Sequence, residues 1–400
     1  MKPHMLIIGG WDEMMQRASN LPVTITLFQK EELATGSQRQ LADRVFLFDY
    51  ESIEETILSA RALHEEQPID AVVSFTEFGL EPAAYVKELL GIKGNPLFPV
   101  QVTRNKEKMR EILTTHELSV IRYKVCDNRS DVITFWNEIQ SPFILKPAFG
   151  SGSEGVVFVE NADDVEAAWA WASKCSLFPL LAEEFIEGDE YSVEALSFGG
   201  EHHVLAVTAK MTTEQPHFIE LGHQLPIWLP EYQMEAIREL IQQFLTKAGH
   251  QTGPTHTEVR LGANGPKIIE SHTRVGGDRI WEMVELAMGV DLIAETLSYL
   301  AFGSISYGQH GEGGAAIRFF QLPEGRITEV SGVRNAEQSE HVIRVVCNAE
   351  AGDIIGQAES SDSRQGYVLA VGSTVEEAIR HAEWSHEQVV FHMEKQRGAR

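Results

Sequence analysis

Short apolar segments alternate with amphipathic segments over the first hundred residues. Continuous apolar runs predict strands at Leu6–Ile8, Val23–Phe28, Arg44–Phe48 and Ala71–Phe75, and helical spacing predicts a helix over Ile53–Gln67. Strands that are apolar at successive positions, and that helices separate, are typical of a parallel sheet covered on both faces. The pattern therefore predicts an N-terminal α/β domain.

Two further regions follow Pro96 and Pro99, which mark a boundary. The spacing over Thr103–His116 predicts a helix with Thr103 as its N-cap. An α+β region extends from about 120 to 305, and a third region begins near the glycine-rich segment Gly311–Gly314. The third region ends in a helix from Val375, and its predicted strands are 315–320, 341–346 and 366–371.

The chain is acidic, with 59 Asp and Glu against 33 Lys and Arg and a formal net charge of −26. Such a surface repels nucleic acid and anionic lipid, so we expect neither as a partner. The sequence contains no run of about 18 apolar residues, so it predicts no membrane-spanning helix. The first apolar run is too short for a secretory signal. Three widely separated cysteines without metal-binding spacing favour a reducing compartment, so we expect a cytoplasmic protein. The same acidity argues against a phosphate ligand.

The strongest local signal for chemistry is a strand, a glycine-rich loop and a second strand. The strand Phe143–Lys146 delivers a lysine, the loop Gly150–Gly155 holds three glycines and two serines, and a strand resumes at Val156. Backbone N–H groups of such a loop can surround phosphate oxygens, and Lys146 adds a positive charge. The loop is no Walker A motif, because no Gly-Lys-Ser/Thr leads into a helix. The alternative is a flexible hairpin with a chance lysine.

A second cluster joins an apolar strand from Leu180 to the acidic residues Glu183, Glu184 and Glu190, with a turn at Gly188. Carboxylates and exposed backbone groups on such a connection can accept hydrogen bonds from an adenine amino group and ribose hydroxyls. The alternative is a solvated hairpin with acidic tips, which this segment by itself favours.

A third cluster contains Glu258 and Glu270 on two strands of a predicted hairpin that turns at 262–265. If the strands pair, both carboxylates point to one face, and together with nucleotide phosphates they form a Mg²⁺ site. His272 and Arg274 share that face with Glu270 at a period of two. The alternative is a strand pair with surface charges.

In this order the three clusters resemble the ATP-grasp superfamily, over roughly residues 1–305. Two segments are similar to the L-amino acid ligase group, which makes dipeptides from free amino acids: Glu220–Pro226, like that group's Glu-x-Gly-His-x-x-Pro, and Ser271–Asp278. Many superfamily members have Asn two residues after the second metal carboxylate, where this chain has His272. Glu258 and Glu270 are therefore better supported as metal ligands than His272.

The resemblance implies an ATP-grasp fold that combines α/β and α+β regions. It implies an N-terminal Rossmann-like parallel-sheet domain at 1–100, a central ATP-grasp domain at 101–305 with a lid subdomain at about 120–192, and a C-terminal α+β domain at 306–400. A homodimer is one candidate for the oligomeric state, because dimers are common in the group.

The resemblance also implies an ATP and metal site. The residues that would bind ATP are Lys106 and Lys146 at the phosphates, Ser151, Gly152 and Ser153 in the closing loop, Glu183, Glu184 and Ile186 at the adenine, and Glu190 at the ribose. Glu258 and Glu270 would ligate Mg²⁺, with Mn²⁺ able to take its place.

The implied amino-acid site lies further along the chain. Its substrate-binding residues would be Glu220, His223, Arg274, Gly276, Gly277 and Asp278. The implied catalytic set is Arg274, Lys146, His223 and Gly277. Arg274 would contact the transferring phosphoryl group and the tetrahedral intermediate, and Lys210 is a further candidate for the site.

The implied activity is ATP-dependent joining of an L-amino acid carboxylate to an amine, through an acyl phosphate, to give a dipeptide, ADP and phosphate. One alternative is an ATP-grasp ligase with another acceptor, such as a carrier protein or a natural-product amine, or a carboxylase that forms carboxyphosphate. Another is a nucleotide-binding regulator that has lost catalysis.

Overall fold

The computed structural model describes residues 2–150, 152–175, 177–305, 311 and 313–394. The first elements are β1 (His4–Ile8), α1 (Asp12–Ser19), β2 (Thr24–Gln29), α2 (Gly36–Leu41), β3 (Arg44–Leu47), α3 (Ile53–Glu66), β4 (Ala71–Val73) and α4 (Leu80–Leu90). The four strands are parallel and lie in the order β3-β2-β1-β4, which confirms the predicted sheet. Met5 and Ile7 of β1 pack into one core, whereas Leu6 and Ile8 pack into another, because both faces of the sheet are covered.

The predicted helix at 103–116 is in fact two helices, α5 (Leu97–Arg104) and α6 (Lys106–Thr115). Thr103 lies inside α5, where its hydroxyl donates to the Pro99 carbonyl (3.0 Å), so the prediction that it caps the helix is wrong. Asn105 is the N-cap of α6, because its side-chain oxygen accepts from the backbone N–H groups of Glu107 and Lys108.

A separate four-stranded antiparallel sheet follows, which we call the lid sheet. Its elements are β5 (Tyr123–Cys126), α7 (Arg129–Ile139), β6 (Phe143–Pro147), β7 (Val157–Val159), α8 (Val165–Ala172) and β8 (Leu180–Glu184). The strand order is β5-β8-β6-β7, and α7 and α8 pack on it. The predicted strand, loop and strand around Lys146 is confirmed as the hairpin β6-β7.

The central sheet has eight strands in the order β13-β12-β9-β10-β11-β14-β18-β16. Its first elements are β9 (Asp189–Phe198), β10 (Glu201–Thr212), β11 (Glu220–Leu225), α9 (Glu231–Ala248), β12 (Gly253–Gly262), β13 (Gly265–His272), α10 (Ile280–Met288) and α11 (Leu292–Phe302). The segment 180–193 is a connection between the lid sheet and the central sheet, rather than a hairpin, because β8 and β9 belong to different sheets.

The last region of the chain extends the central sheet. Its elements are β14 (Gly314–Phe319), β15 (Gly325–Ser331), α12 (Val333–Glu337), β16 (Val342–Cys347), β17 (Ile354–Ile355), β18 (Gly366–Gly372), α13 (Val375–Gln388) and β19 (Val390–Glu394). β14 pairs with β11, and β18 and β16 continue outward, whereas β17, β15 and β19 form a small sheet of their own. The three strands and the closing helix that the sequence predicts are all present.

One hydrophobic core joins the N-terminal sheet to the central sheet. Met5 and Leu27 of the first sheet pack in the same cluster as Val284 of α10, Leu297 of α11 and Ile317 of β14. On the opposite face of the central sheet, α9 and α6 pack over a second cluster. No helix within the described ranges has the length and apolar character needed to span a membrane.

Candidate active site

Two adjoining cavities lie along the central sheet. The first cavity has about 860 Å³ of open space and lies between the lid sheet and the central sheet. The second cavity has about 650 Å³ and lies between the central sheet and the loop before β18. Among the residues that the structure describes, five line both cavities: Gly152, Lys210, Glu220, Glu258 and Glu270. Two molecules bound in the two cavities would therefore contact each other at this shared wall.

Two lysines enter the first cavity from different elements. Lys106 begins α6, and its Nζ lies 3.1 Å from a Glu270 oxygen and donates to the Gly150 carbonyl (2.9 Å). Lys146, on β6, is buried, with its Nζ 2.7 Å from Glu183. Burial lowers the pKa of Lys146 although the charge of Glu183 opposes it. Both lysines thus place their ammonium groups at the wall of the first cavity.

The carboxylate of Glu183 is already fully engaged in this structure. Arg110 of α6 donates to both of its oxygens (2.6 and 2.9 Å), and Lys146 is its second cation. Burial by itself would raise the pKa of Glu183, but Arg110 and Lys146 lower it to about 2. Glu183 lines the first cavity, yet its hydrogen bonds here serve the two cations.

The connection after Glu183 lines the first cavity with Glu184, Ile186 and Glu190. Arg260 of β12 donates to the Ile186 carbonyl (3.1 Å) and to Glu190 (3.0 Å). Lys210 of β10 lies 2.7 Å from the other oxygen of Glu190. These contacts fix the path of the connection where it crosses from the lid sheet to the central sheet.

Aromatic rings complete this end of the first cavity. The guanidinium of Arg260 lies 4.8 Å from the ring centroid of Phe185 and 5.3 Å from that of Phe218. The two rings are stacked, with an interplanar angle of 18°. The cavity therefore offers a flat apolar wall beside polar backbone groups.

The glycine-rich loop lies between the two cavities. Gly152 lines both, and Ser153 lines the first and donates to a Glu220 oxygen (3.2 Å). Gly150, Gly152 and Gly155 have φ of 99°, 71° and 70°, values that favour glycine. Ser151, also predicted to bind ATP, lies outside the described residues.

Glu258 and Glu270 are direct partners across the β12-β13 pair, as the sequence predicts for the hairpin. Lys210 lies 2.6 Å from Glu258, and Lys106 lies 3.1 Å from Glu270. Burial would raise the pKa of Glu258, but Lys210 and His256 together outweigh it, and the pKa is about 2 even beside Glu270. The pKa of Glu270 is likewise well below its usual range, because Lys106 and His272 outweigh burial. Both side chains are carboxylates at neutral pH.

Arg274 lines the second cavity and is anchored to the N-terminal region. Its Nε donates to Glu77 Oε2 (2.8 Å), and Glu77 also lies 3.1 Å from His272 and 3.2 Å from Arg104. Burial would raise the pKa of Glu77, but His272 and Arg274 hold it well below its usual range. Glu77, which follows β4 of the N-terminal sheet, thereby helps to orient Arg274 in the second cavity.

His223 and Asp278 form a hydrogen-bonded pair in the second cavity. His223 Nε2 donates to Asp278 Oδ2 (2.9 Å), and Arg364 donates to both Asp278 oxygens (2.6 and 2.8 Å). Burial would raise the pKa of Asp278, but Arg364 and His223 hold it well below its usual range. Glu220 accepts from Ser361 and lies 3.5 Å from Lys210.

The two predicted glycines differ in position. Gly277 lines the second cavity, and a Cβ there would meet no atom within 4 Å. A Cβ at Gly276 would come within 2.8 Å of His256 Nδ1 and 3.2 Å of Glu194. Gly276 therefore packs against the buried His256–Glu194 pair, whereas Gly277 faces the cavity.

Family models match three parts of this chain. A model described as the ATP-grasp domain matches residues 139–282, one described as the ATP-grasp N-terminal domain matches 15–94, and one described as L-amino acid ligase C-terminal domain 2 matches 318–394. The chain therefore contains an ATP-grasp N-terminal domain and an ATP-grasp domain. Its structure confirms the ATP-grasp fold that the sequence resemblance implies.

Individual relatives are distant. The chain is 28% identical to alanine–anticapsin ligase from Bacillus subtilis (strain 168) over 58% of this chain and 54% of the relative. It is 23% identical to the L-arginine-specific L-amino acid ligase of Bacillus subtilis over 86% of this chain and 88% of the relative. A crystal structure of L-amino acid ligase from Bacillus licheniformis, 23% identical, superposes with a TM-score of 0.83 over 98% of this chain and 99% of that one. The alignment thus spans about half the length of the alanine–anticapsin ligase.

The donor set of this ATP-grasp protein fits a Mg²⁺ ion. Glu258 and Glu270 offer carboxylate oxygens that repel each other from facing positions on two strands. Within the described ranges, no group of three or more His, Cys, Asp or Glu is arranged to hold a metal. Mg²⁺ is commonly bound by one or two protein carboxylates together with substrate phosphates. The two glutamates fit that mode of binding.

Sequence reasoning missed several charged residues of this ATP-grasp site. Arg110 lies four residues after Lys106 on α6, a spacing that places both side chains on one face. Arg260 lies two residues after Glu258 on β12, and Glu77 follows the carboxyl end of β4, so local signals for both existed. Arg364 has no such signal, because it approaches from a distant loop.

Proposed function

We propose that this protein is an ATP-dependent carboxylate–amine ligase. It joins the carboxylate of an L-amino acid to the amine of a second amino acid and gives a dipeptide, ADP and phosphate. The observation that carries this proposal is the shared wall of Gly152, Lys210, Glu220, Glu258 and Glu270, where the two cavities meet. The names of two relatives, an alanine–anticapsin ligase and an L-arginine-specific L-amino acid ligase, support amide formation from amino acids.

In the first step, an oxygen of the substrate carboxylate bonds to the γ-phosphorus of ATP, the bond to the β-phosphate oxygen breaks, and ADP leaves. Two anions meet in this step, so charge neutralisation is the main requirement. Lys106 and Lys146 supply positive charge from the first cavity, and Arg274 supplies it from the second. The acidic surface of the chain does not prevent ATP binding, because these cations gather in one cleft.

Glu258 and Glu270 would hold Mg²⁺, which when bound neutralises phosphate charge. The adenine would lie at the end of the first cavity with Ile186, Phe185 and Phe218, and Glu190 would accept from the ribose. The Gly150–Gly155 loop would close over the phosphates and keep water from the acyl phosphate.

In the second step, the neutral amine nitrogen bonds to the acyl carbon, and the bond from that carbon to the phosphate oxygen breaks. Phosphate leaves with the electron pair of the broken bond and takes up the proton that the nitrogen releases. An oxyanion forms at the carbonyl oxygen, and the guanidinium of Arg274 in the second cavity can stabilise it. The backbone at Gly277 lines the same cavity and is open to a substrate. The His223–Asp278 pair would orient the amino-acid substrate there.

The test is ADP release from purified protein with ATP, Mg²⁺ and either single amino acids, amino-acid pairs or bicarbonate. We expect ADP and a dipeptide, identified by mass spectrometry, in equal amounts with at least one amino-acid pair. ADP release with bicarbonate alone, or amide formation only with a carrier protein or another amine, would replace the dipeptide proposal with that reaction. ATP binding without acid-dependent ADP release would show a nucleotide-binding protein without ligase activity.

A further inference from the structure

A loop of the C-terminal region reaches into the second cavity and brings a buried arginine with it. Arg364 lies just before β18, and its side chain is only 10% exposed. Its Nε donates to the Ser361 carbonyl (2.5 Å), and its guanidinium lies 3.7 Å from the ring centroid of Phe319. The guanidinium is therefore held by the protein itself.

Arg364 makes two hydrogen bonds to one carboxylate. Its Nη1 and Nη2 donate to the two oxygens of Asp278 (2.8 and 2.6 Å), and His223 donates to Oδ2 as well (2.9 Å). A carboxylate offers about four acceptor positions, so three of the four at Asp278 are taken. Asp278 lines the second cavity, but its charge there is cancelled by a cation in bidentate contact.

The geometry points to Arg364 as a specificity-determining residue. Its guanidinium keeps the cavity wall at Asp278 electrically neutral. The amino acid that binds beside Asp278 is therefore restricted to one with an uncharged side chain. This inference rests on the proposed ligase function. A substrate ammonium or guanidinium at Asp278 would lie against the like charge of Arg364, and a substrate carboxylate would lie against Asp278 itself. A neutral side chain meets neither repulsion.

Asp362, another acid of the second cavity, differs from Asp278 in exposure and in pairing. Asp362 also lines this cavity and is exposed, and within the described ranges its carboxylate has no ion-pair partner. Solvent screens such a charge strongly. The neutrality of the buried wall therefore depends on Arg364 and Asp278, which can be changed one at a time.

The test removes the charge at these two positions, one at a time and together, and measures kcat/KM for the amino-acid substrates. Two matched substrate pairs report charge: L-lysine against L-norleucine, and L-glutamate against L-glutamine. In the unchanged protein we expect the neutral member of each pair to be preferred. Arg364→Met keeps an aliphatic stem over Phe319 and should raise the lysine-to-norleucine ratio about tenfold or more. Asp278→Asn should instead raise the glutamate-to-glutamine ratio, and the double variant should restore the neutral preference.

The separate values of KM and kcat distinguish a specificity role of Arg364 from a merely structural one. For Arg364→Met we expect the shift in the KM for the charged amino acid, with kcat for the neutral one changed only a few-fold. Asp278→Asn is judged by its substrate ratios alone, because Asp278 belongs to the proposed substrate site. Arg380→Met, which replaces an exposed arginine of α13, is the matched control and should change no ratio. If Arg364→Met does not fold, Asp278→Asn and the double variant still carry the test, because neither leaves an unpaired buried carboxylate.

The outcomes also separate this inference from the ligase proposal. Unchanged ratios in the single variants, with dipeptides still formed, would overturn the role of Arg364 and leave the ligase function standing. A lysine preference in the unchanged protein that Asp362→Asn removes would overturn it as well, since the exposed acid would then select the substrate. No amino-acid-dependent ADP release in any protein would overturn the ligase proposal itself.

Discussion

Several carboxylates in or next to the two cavities are each held by more than one cation. Glu183 contacts Arg110 and Lys146, and Glu77 contacts Arg104, His272 and Arg274. A buried carboxylate that loses its only partner is costly, whereas one that keeps a second cation is not left uncompensated. At the scale of single residues, this redundancy predicts which substitutions affect activity and which affect stability.

Lys146→Ala and Arg274→Ala should each abolish amide formation without unfolding the protein. Arg110 still pairs with Glu183 in the first variant, and Arg104 and His272 still contact Glu77 in the second. Loss of one preorganised charge contact costs about 100-fold or more in rate. ADP release and the thermal unfolding midpoint measure the two effects. Lys124→Ala, at an exposed ion pair, is the control, and near-normal turnover in either site variant would disprove its assignment.

Arg110→Met should cost about 3 kcal/mol in the free energy of unfolding. The Arg110 side chain is fully buried, and besides Glu183 it donates to the carbonyls of Ile268 (2.6 Å) and Ile269 (2.9 Å), which would lose their partner. Urea unfolding measures the change. The same substitution at exposed Arg122, paired with Glu184, should cost less than about 1 kcal/mol. Equal costs would show that burial of Arg110 contributes no extra stability.

At the scale of elements, the β12-β13 hairpin sets the position of the metal carboxylates. Glu258 faces Glu270 directly, and a bulge after Glu258 shifts the register so that Val259 faces Ile268. In a strand pair, a shift of one residue turns side chains to the opposite face. The register at this hairpin therefore decides that both carboxylates reach the shared wall.

Glu258→Gln and Glu270→Gln should each raise the Mg²⁺ concentration needed for half-maximal ADP release by about tenfold or more. The amide keeps the shape of the side chain but removes the charge that a hard cation prefers. Titration of Mg²⁺ at fixed ATP measures the shift. Glu329→Gln, at an exposed position of β15, is the matched control. An unchanged Mg²⁺ requirement in both site variants would rule out these glutamates as the ligands.

At the scale of the whole molecule, the regions share cores and sheets instead of standing apart. β14, β18 and β16 complete the central sheet, and α10 and α11 pack between that sheet and the N-terminal sheet. His250, after α9, is a further link: its Nδ1 accepts from the Asn95 amide (3.1 Å), and its Nε2 donates to the Gly253 carbonyl (3.2 Å). This arrangement requires a neutral imidazole.

His250 should make the protein less stable as the pH falls. Burial lowers its pKa from 6.5 to about 4, against the opposing effect of the Gly253 carbonyl. Between these two values the unfolded chain binds more protons than the folded one, so stability falls as pH falls from about 6.5 to 4. The contribution lost between pH 7 and pH 5 is about 2 kcal/mol.

Urea unfolding at pH 7 and pH 5 isolates this effect by comparison with His250→Gln. The variant should lose about 2 kcal/mol less than the unchanged protein between the two pH values. His116→Gln, at an exposed histidine, should show the same pH dependence as the unchanged protein. If His250→Gln shows it too, the buried imidazole does not control acid stability.

Local sequence patterns were sufficient to predict most helices and strands and the pairing of Glu258 with Glu270. The parallel strands follow from continuous apolar runs, and the β6-β7 and β12-β13 hairpins follow from the glycine-containing turns between strand segments. The helix boundary at Asn105 was missed, because apolar spacing continues across the two helices while the capping side chain alone marks the break. The partnership of Glu183 with Arg110 was missed because it joins residues 73 positions apart.

The sequence by itself determined the class of the fold, the order of the motifs and the types of side chain available for phosphate, metal and amino acid. Those properties depend on local spacing, which the chain carries along its length. Only the tertiary structure decided that the C-terminal strands continue the central sheet, that Glu77 orients Arg274, and that Arg364 neutralises Asp278. These contacts arise when distant segments pack together and buried charges find partners, since an unpaired charge cannot remain in the interior.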